Sequence, residues 1–227
     1  LGNEDFFGLI SNTGGGYNFY KAAKFRRIPR YRYNGVPMDN GGRYFYINDN
    51  GTVWNPGWQP TQTKLDSYEC RVGTGYTSIT SSKNGVKAEQ TVMVPRGFRA
   101  EVTRVKLTNE SSEVKNLSLY SFIEFCLWNA QDDSTNFQRN YALAEMEYED
   151  GGATIYHKTE YRERRNHYAV YSVNSPIDGF DTNREAFIGL YNGFGNPQVV
   201  MNDAPTNSDT HGWQPIASHC IRMTLKP

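Results

Sequence analysis

Hydrophobic and polar residues alternate in short runs along most of this chain. The clearest run is VKAEQTVMV (86–94). Val86, Ala88, Val92 and Val94 share one face and Lys87 and Glu89 the other, a period of two that predicts a strand buried on one side. LSLYSFIEF (117–125) is different. Leu117, Leu119, Ile123 and Phe125 fall on one side and Tyr120, Phe122 and Glu124 on the other, which predicts a central strand covered twice. Further strands are predicted at RYFYI (43–47), within 63–80 around Gly73 and Gly75, and at AEVTRVKLTN (100–109). Others follow at ALAEMEYE (142–149), ATIYHKTEY (153–161), HYAVYSV (167–173) and from His219 to Leu225. Asn48-Asp49-Asn50-Gly51, Asn84-Gly85 and Asp150-Gly151-Gly152 are hairpin signals, and Gly14-Gly15-Gly16 reads as a tight turn. Residues 128–140, 174–186 and 192–215 read as polar or irregular loops, with an apolar run AFIGLY at 186–191. No long amphipathic helix and no repeat period emerges. About a dozen short strands at this spacing predict an all-β, mostly antiparallel sandwich.

Composition sharpens that picture. The 227 residues suit one domain, and 16 Tyr, 12 Phe and 4 Trp favour strands over helices. The 24 basic residues equal the 24 acidic ones, so no overall field draws the chain to nucleic acid or to an anionic membrane. No apolar run reaches the roughly 18 residues of a spanning helix, and no signal-peptide pattern opens the chain. Cys70, Cys126 and Cys220 stand far apart and form no CxxC pair.

Few residues announce chemistry. His157, His167, His211 and His219 have no metal-ligand spacing, and there is no GxSxG elbow or phosphate loop. No metal or cofactor is expected. The basic run Lys21 to Arg32 reads as a solvated or interface surface, and YRERR (161–165) as a charged strand edge. Glu124, Asp132, Asp133, Glu160, Glu163, Asp178 and Asp181 are carboxylates of the kind used on glycosidic bonds, but each is more simply a structural or surface group. Trp54 and Trp58 are either core residues or a stacking platform for sugar rings. The densest feature is EFCLWNAQDDSTNFQRN (124–140), where an apolar strand feeds a loop of amides and carboxylates ending at Gln138 and Arg139. Such groups bind sugar hydroxyls, and equally bond their own backbone.

DFFGLISNTGGGYNFY (5–20), RYRYNGVPMDNGGRYFYI (30–47), WNPGWQP (54–60), SFIEFCLWNAQDDSTNFQRN (121–140) and YHKTEYRERRNHYAVY (156–171) carry a stronger message together. They resemble the N-terminal domain of the cellobiose phosphorylases, inverting enzymes of glycoside hydrolase family 94 also grouped as glycosyltransferases. The resemblance implies one large distorted sandwich over residues 1–227, a super-sandwich of the galactose-mutarotase type. It implies that a helical linker, the (α/α)6 catalytic barrel and a small C-terminal β domain lie beyond these residues. The general-acid aspartate belongs to that barrel, so this domain alone is expected to be inactive. The whole enzyme is implied to be a cytoplasmic homodimer that converts cellobiose and inorganic phosphate, its co-substrate, to α-glucose 1-phosphate and glucose. By the same resemblance Gln138 and Arg139 reach the acceptor side of the partner subunit's active site, and WNAQDD…NFQRN favours glucose over N-acetylglucosamine as acceptor. Cellodextrin and chitobiose phosphorylases share the layout. A free-standing carbohydrate-binding module is the alternative.

Overall fold

The computed structural model describes residues 1–32, 39–126, 129–135, 143–160, 168–210, 212 and 214–227, with the side chains of 159 and 160 left aside. It is built from antiparallel sheets. The largest has five strands in the order β13 (Gly179–Asn183), β14 (Pro215–Leu225), β9 (Lys115–Glu124), β3 (Arg43–Asp49) and β4 (Thr52–Trp54). A four-stranded sheet follows chain order: β5 (Ser67–Val72), β6 (Tyr76–Lys83), β7 (Val86–Met93) and β8 (Val102–Asn109). A three-stranded sheet holds β10 (Leu143–Glu149), β11 (Thr154–Glu160) and β12 (Ala169–Ser172), and β1 (Phe6–Ile10) pairs with β2 (Gly16–Tyr20).

The hairpins close as their turn residues dictate. Asn50 and Gly51 join β3 to β4 at φ of 49° and 89°, and Asn84 and Gly85 join β6 to β7 at 50° and 76°. Two consecutive left-handed residues give a turn whose twist matches that of the strands. In β7, Val86, Ala88, Gln90 and Val92 are buried and alternate with half-buried residues, as the period of two predicts.

Strand β9 lies in the middle of the five and is covered on both faces. Tyr120 and Phe122 join Tyr44, Tyr46, Phe187, Val199 and Ile216 in one core. On the other face Leu117 and Leu119 pack with Trp54 of β4 and with Val86 and Ala88 of the four-stranded sheet. Further along that same face, Ile123 and Phe125 pack with Met146 and Ile155 of the three-stranded sheet. Between these two apolar groups sits a polar seam. Ser121 of β9 and His219 of β14 are register partners, Arg43 of β3 pairs with Glu101, and all four are buried. The Arg43–Glu101 ion pair and the Ser121–His219 contact offset much of the cost of burial, while Arg43 Nη1 has no hydrogen-bond partner among the described residues.

Three loops read from the sequence contain short helices. Within 128–140 lies α1 (Ala130–Ser134), N-capped by Asn129, whose side chain accepts from the backbone of Gln131 and Asp132. The segment expected as loop at 174–186 holds β13 and the start of α2 (Arg184–Ile188), capped by Asn183 and closed at Gly189. The stretch 192–215 contains α3 (Gln198–Met201). Helices α2 and α3 roof the outer face of the five-stranded sheet by burying Phe187, Ile188, Val199 and Val200. The last strand begins at Pro215 rather than His219.

Candidate functional site

At the end of β9 the chain leaves the sheet toward residues 127–142, and the preceding basic strip is laid against that exit. Arg30 N donates to the Glu124 carbonyl at 2.7 Å, Cys126 N to the Ile28 carbonyl at 2.8 Å, and Ala130 N to the Lys24 carbonyl at 2.7 Å. Pro29 and Phe125 form a bridge, and Phe125 stacks on His157 with ring centroids 4.4 Å apart. Arg27 to Arg30 thus run along the end of β9, and the turn holding Lys24 receives the start of α1.

Arg30 is the centre of the site. Arg30 Nη1 donates to Glu124 Oε1 and Nε donates to Asp133 Oδ2, both at 3.0 Å. Both carboxylates are almost wholly buried, and the Arg30 side chain is 17% exposed. Arg184, at the start of α2, brings its Nε within 3.4 Å of the same Glu124 oxygen. Among the described residues two guanidinium groups thus face two carboxylates. Burial works against the Arg30 charge, but Glu124 and Asp133 outweigh it and hold the guanidinium above its ordinary value. A guanidinium held this way acts as a clamp between the two carboxylates and is not itself an acid or a base. Two open grooves of about 580 and 510 Å³ lie elsewhere, one beside Asn48, Asn116 and Arg222, the other beside Leu9, Tyr31 and Val72. Neither includes Arg30, Glu124 or Asp133.

The residues singled out in the sequence divide accordingly. Gln138 and Arg139 lie outside the described residues, as do Glu163, His167, His211 and the YRERR cluster. Glu124 and Asp133 are brought together by Arg30. Asp181 is buried and accepts from Ser208 N and Oγ and from Thr206 N and Oγ1, pinning that loop to β13. Asp178 accepts from Arg222 N at 2.7 Å. Asp132 opens the first turn of α1, where a carboxylate suits the helix dipole. Trp54 is fully buried in the core, so it offers no face to a sugar, whereas Trp58 is 39% exposed. Cys126 and Cys220 are buried thiols outside any disulfide, and Cys70 is half-buried. Among the described residues no group of three or more His, Cys, Asp and Glu side chains could hold a metal ion, and no helix is long and apolar enough to cross a membrane.

Sequence reasoning missed Arg30 by reading Lys21 to Arg32 as one solvated or interface surface. The apolar pair Ile28-Pro29 just ahead of Arg30 was the available signal that the chain turns inward there.

The sandwich, its roof of short helices and this clamped exit belong to a recognisable class. The family model described as glycosyl hydrolase 94, supersandwich domain, matches residues 1–227, and the chain belongs to that family. It is similar to an N,N'-diacetylchitobiose phosphorylase of Vibrio proteolyticus, 33% identical over all of this chain and 29% of the relative. A second N,N'-diacetylchitobiose phosphorylase, from Vibrio furnissii, is 32% identical over 97% of the chain and 27% of its own length. A solabiose phosphorylase of Paenibacillus borealis is 32% identical over 88% of the chain and 26% of its own length. The chain thus spans less than a third of these curated relatives.

Proposed function

We propose that this chain is the non-catalytic N-terminal domain of a cellobiose phosphorylase. In this reading it packs at a homodimer interface and presents Gln138 and Arg139 to the acceptor sugar in the partner subunit's active site. The observation that carries it is the supersandwich match over residues 1–227, on a chain that spans 29% of a phosphorylase relative. Among the described residues the charged cluster at Arg30 is an ionic clamp, which supports a structural role for this part of the domain. Inorganic phosphate is then a co-substrate, no cofactor is required, and the enzyme works in the cytoplasm. The neutral total charge agrees with the lack of a nucleic-acid or membrane partner.

The choice of cellobiose rests on the WNAQDD…NFQRN stretch. A chitobiose-type substrate is the second reading, favoured by the 33% identity to the Vibrio proteolyticus enzyme. A single assay separates them. The full-length protein is incubated with α-glucose 1-phosphate or its N-acetylglucosamine counterpart and with glucose or N-acetylglucosamine as acceptor, and phosphate release is followed. Faster release with the glucose pair is expected. Preference for the N-acetylated pair moves the assignment to the second reading. Turnover of cellobiose and phosphate by residues 1–227 alone overturns the non-catalytic role.

A further inference from the structure

The groove of about 580 Å³ has its floor on the outer face of the five-stranded sheet, and the end of α3 forms one wall. Asn48 of β3, Ser118 of β9 and Arg222 of β14 are register partners across three strands, so three polar side chains stand in one row. Residues two apart on a strand share a face. Two positions along, the same face carries Tyr46, Tyr120 and Cys220 of the roofed core. In the other direction come Asn116 and Thr224, whose Oγ1 donates to Asn116 Oδ1 at 2.8 Å. The apolar core therefore ends abruptly, and the groove begins, at the Asn48–Ser118–Arg222 row.

The row is held in place. Asn48 Nδ2 donates to the Val200 carbonyl and Gly51 N donates to Asn48 Oδ1, both at 2.8 Å. Arg222 Nη2 donates to the Asp203 carbonyl, and Tyr120 OH to Asp203 Oδ1, again at 2.8 Å. Asp203 Oδ2 is left 4.0 Å from Arg222 Nε, beyond hydrogen-bond length. Ser118 lines the groove and is only 4% exposed, yet its hydroxyl has no hydrogen-bond partner among the described residues. A hydroxyl buried without a partner is costly, so a ligand atom that bonds it is favoured there.

The lining selects the ligand. Among the described residues it carries one cation, Arg222, and one carboxylate, Asp203, which gives an anion no net attraction. It holds no aromatic ring for a nucleobase, and Met201, 45% exposed, supplies an apolar wall. Amides, hydroxyls and a carboxylate beside a guanidinium offer donors and acceptors at fixed positions, as a neutral polyol requires.

We infer that this groove is a saccharide-binding site, taking a neutral di- or oligosaccharide whose hydroxyls bond Ser118 and Asp203 Oδ2. Along β9, Ser118 to Glu124 spans roughly 20 Å, so the groove is separate from the clamped exit. The inference does not depend on Gln138 and Arg139 contacting the acceptor.

The test is amide hydrogen exchange of the full-length protein in phosphate-free buffer, titrated with cellobiose, with N,N'-diacetylchitobiose and with sodium sulfate. At least one sugar is expected to slow exchange at 50–52 and 201–204 with saturation. Ser118→Ala removes a hydroxyl that no described group uses, and Asn116→Ala changes an exposed position. Each should raise the half-saturating sugar concentration about three- to ten-fold, the worth of one neutral hydrogen bond. A shift in either variant supports the site. No saturable slowing with either sugar overturns it. Slowing that both variants leave unchanged also overturns it, because the sugar is then bound elsewhere. Slowing by sulfate and by neither sugar overturns the ligand class. The phosphate-release assay is scored separately, so the phosphorylase reading and the groove can fail independently.

Discussion

The imidazole of His219 lies flat against the ring of Tyr171, with centroids 5.3 Å apart and planes within 1°, while its Nδ1 stands 3.1 Å from Ser121 Oγ. The stack closes the polar seam from the three-stranded sheet. It also leaves the histidine no room for a hydration shell, so burial pushes its pKa down to about 4, against a smaller upward pull from the Gly152 backbone.

Stability should therefore depend on pH through this residue. His219 is neutral in the fold, and in the unfolded chain it titrates near 6.5. Below that value the unfolded state binds the extra proton, so the His219 contribution is complete above pH about 6.5 and is lost as pH falls toward about 4. Over that window the loss is about 3 kcal/mol. Urea midpoints at pH 7 and pH 4.5 should differ more for wild type than for His219→Gln, and equal slopes in the two proteins would count against the mechanism.

Trp54 and Trp58 should behave as different kinds of residue. Trp54→Ala opens a cavity among Ile47, Val86 and Leu119 and should cost about 3–5 kcal/mol in chemical denaturation. Trp58→Ala, at a partly exposed position, is expected to cost about 1 kcal/mol or less. Equal costs would contradict the burial pattern.

Asp181→Ala removes the acceptor shared by Thr206 and Ser208. A buried carboxylate with several donors is worth about 3 kcal/mol or more when lost with its network. Amide exchange at 206–210 should quicken well before the rest of the sheet, and unchanged protection there would refute the pinning role.

The two hairpin glycines differ in what surrounds them. Gly51→Ala suffers only the left-handed φ, since nothing lies within 4 Å of an added methyl. Its cost should be about 1 kcal/mol. Gly85→Ala adds a contact with Ser111 Cβ at 2.9 Å and should be the more destabilising of the two by melting temperature.

Thiol labelling should be sequential. Burial raises the Cys220 pKa to about 11, opposed in smaller measure by its hydrogen bond with Tyr120, so the reactive thiolate is scarce. Cys70, half-buried on the exposed edge strand β5, should react first in the native protein, and Cys126 and Cys220 only on unfolding. Fast labelling at Cys220 would show that its strand opens in the native state.

Most strands, though not β13, were legible because each writes its environment into a local period. Alternation in β7 and its loss in β9 distinguish a one-sided strand from a two-sided one within eight to ten residues. The short helices were not legible, because four or five residues are less than the window in which a helical period can be seen. Asn129 and Asn183 were the readable traces, and both resemble ordinary loop residues until the cap geometry is known. The clamp was invisible for another reason. Arg30 meets Glu124 across 94 positions and Asp133 across 103, and no local pattern couples charges at that separation. The family resemblance located the segment 121–140 as important without indicating what moors it.

The polar seam has a consequence for how this domain tolerates change. A continuous hydrocarbon interior transmits a shape change from one side chain to the next. Here a row of hydrogen-bonded groups at Ser121, His219, Arg43 and Glu101 stands between two interiors. Each interior can exchange its own volumes while the other keeps its fit, so the three-stranded sheet is free to diversify independently of the four-stranded one. Domain recombination and library design in this fold should cut along that row, where the two halves are joined by a few replaceable bonds instead of interlocked surfaces.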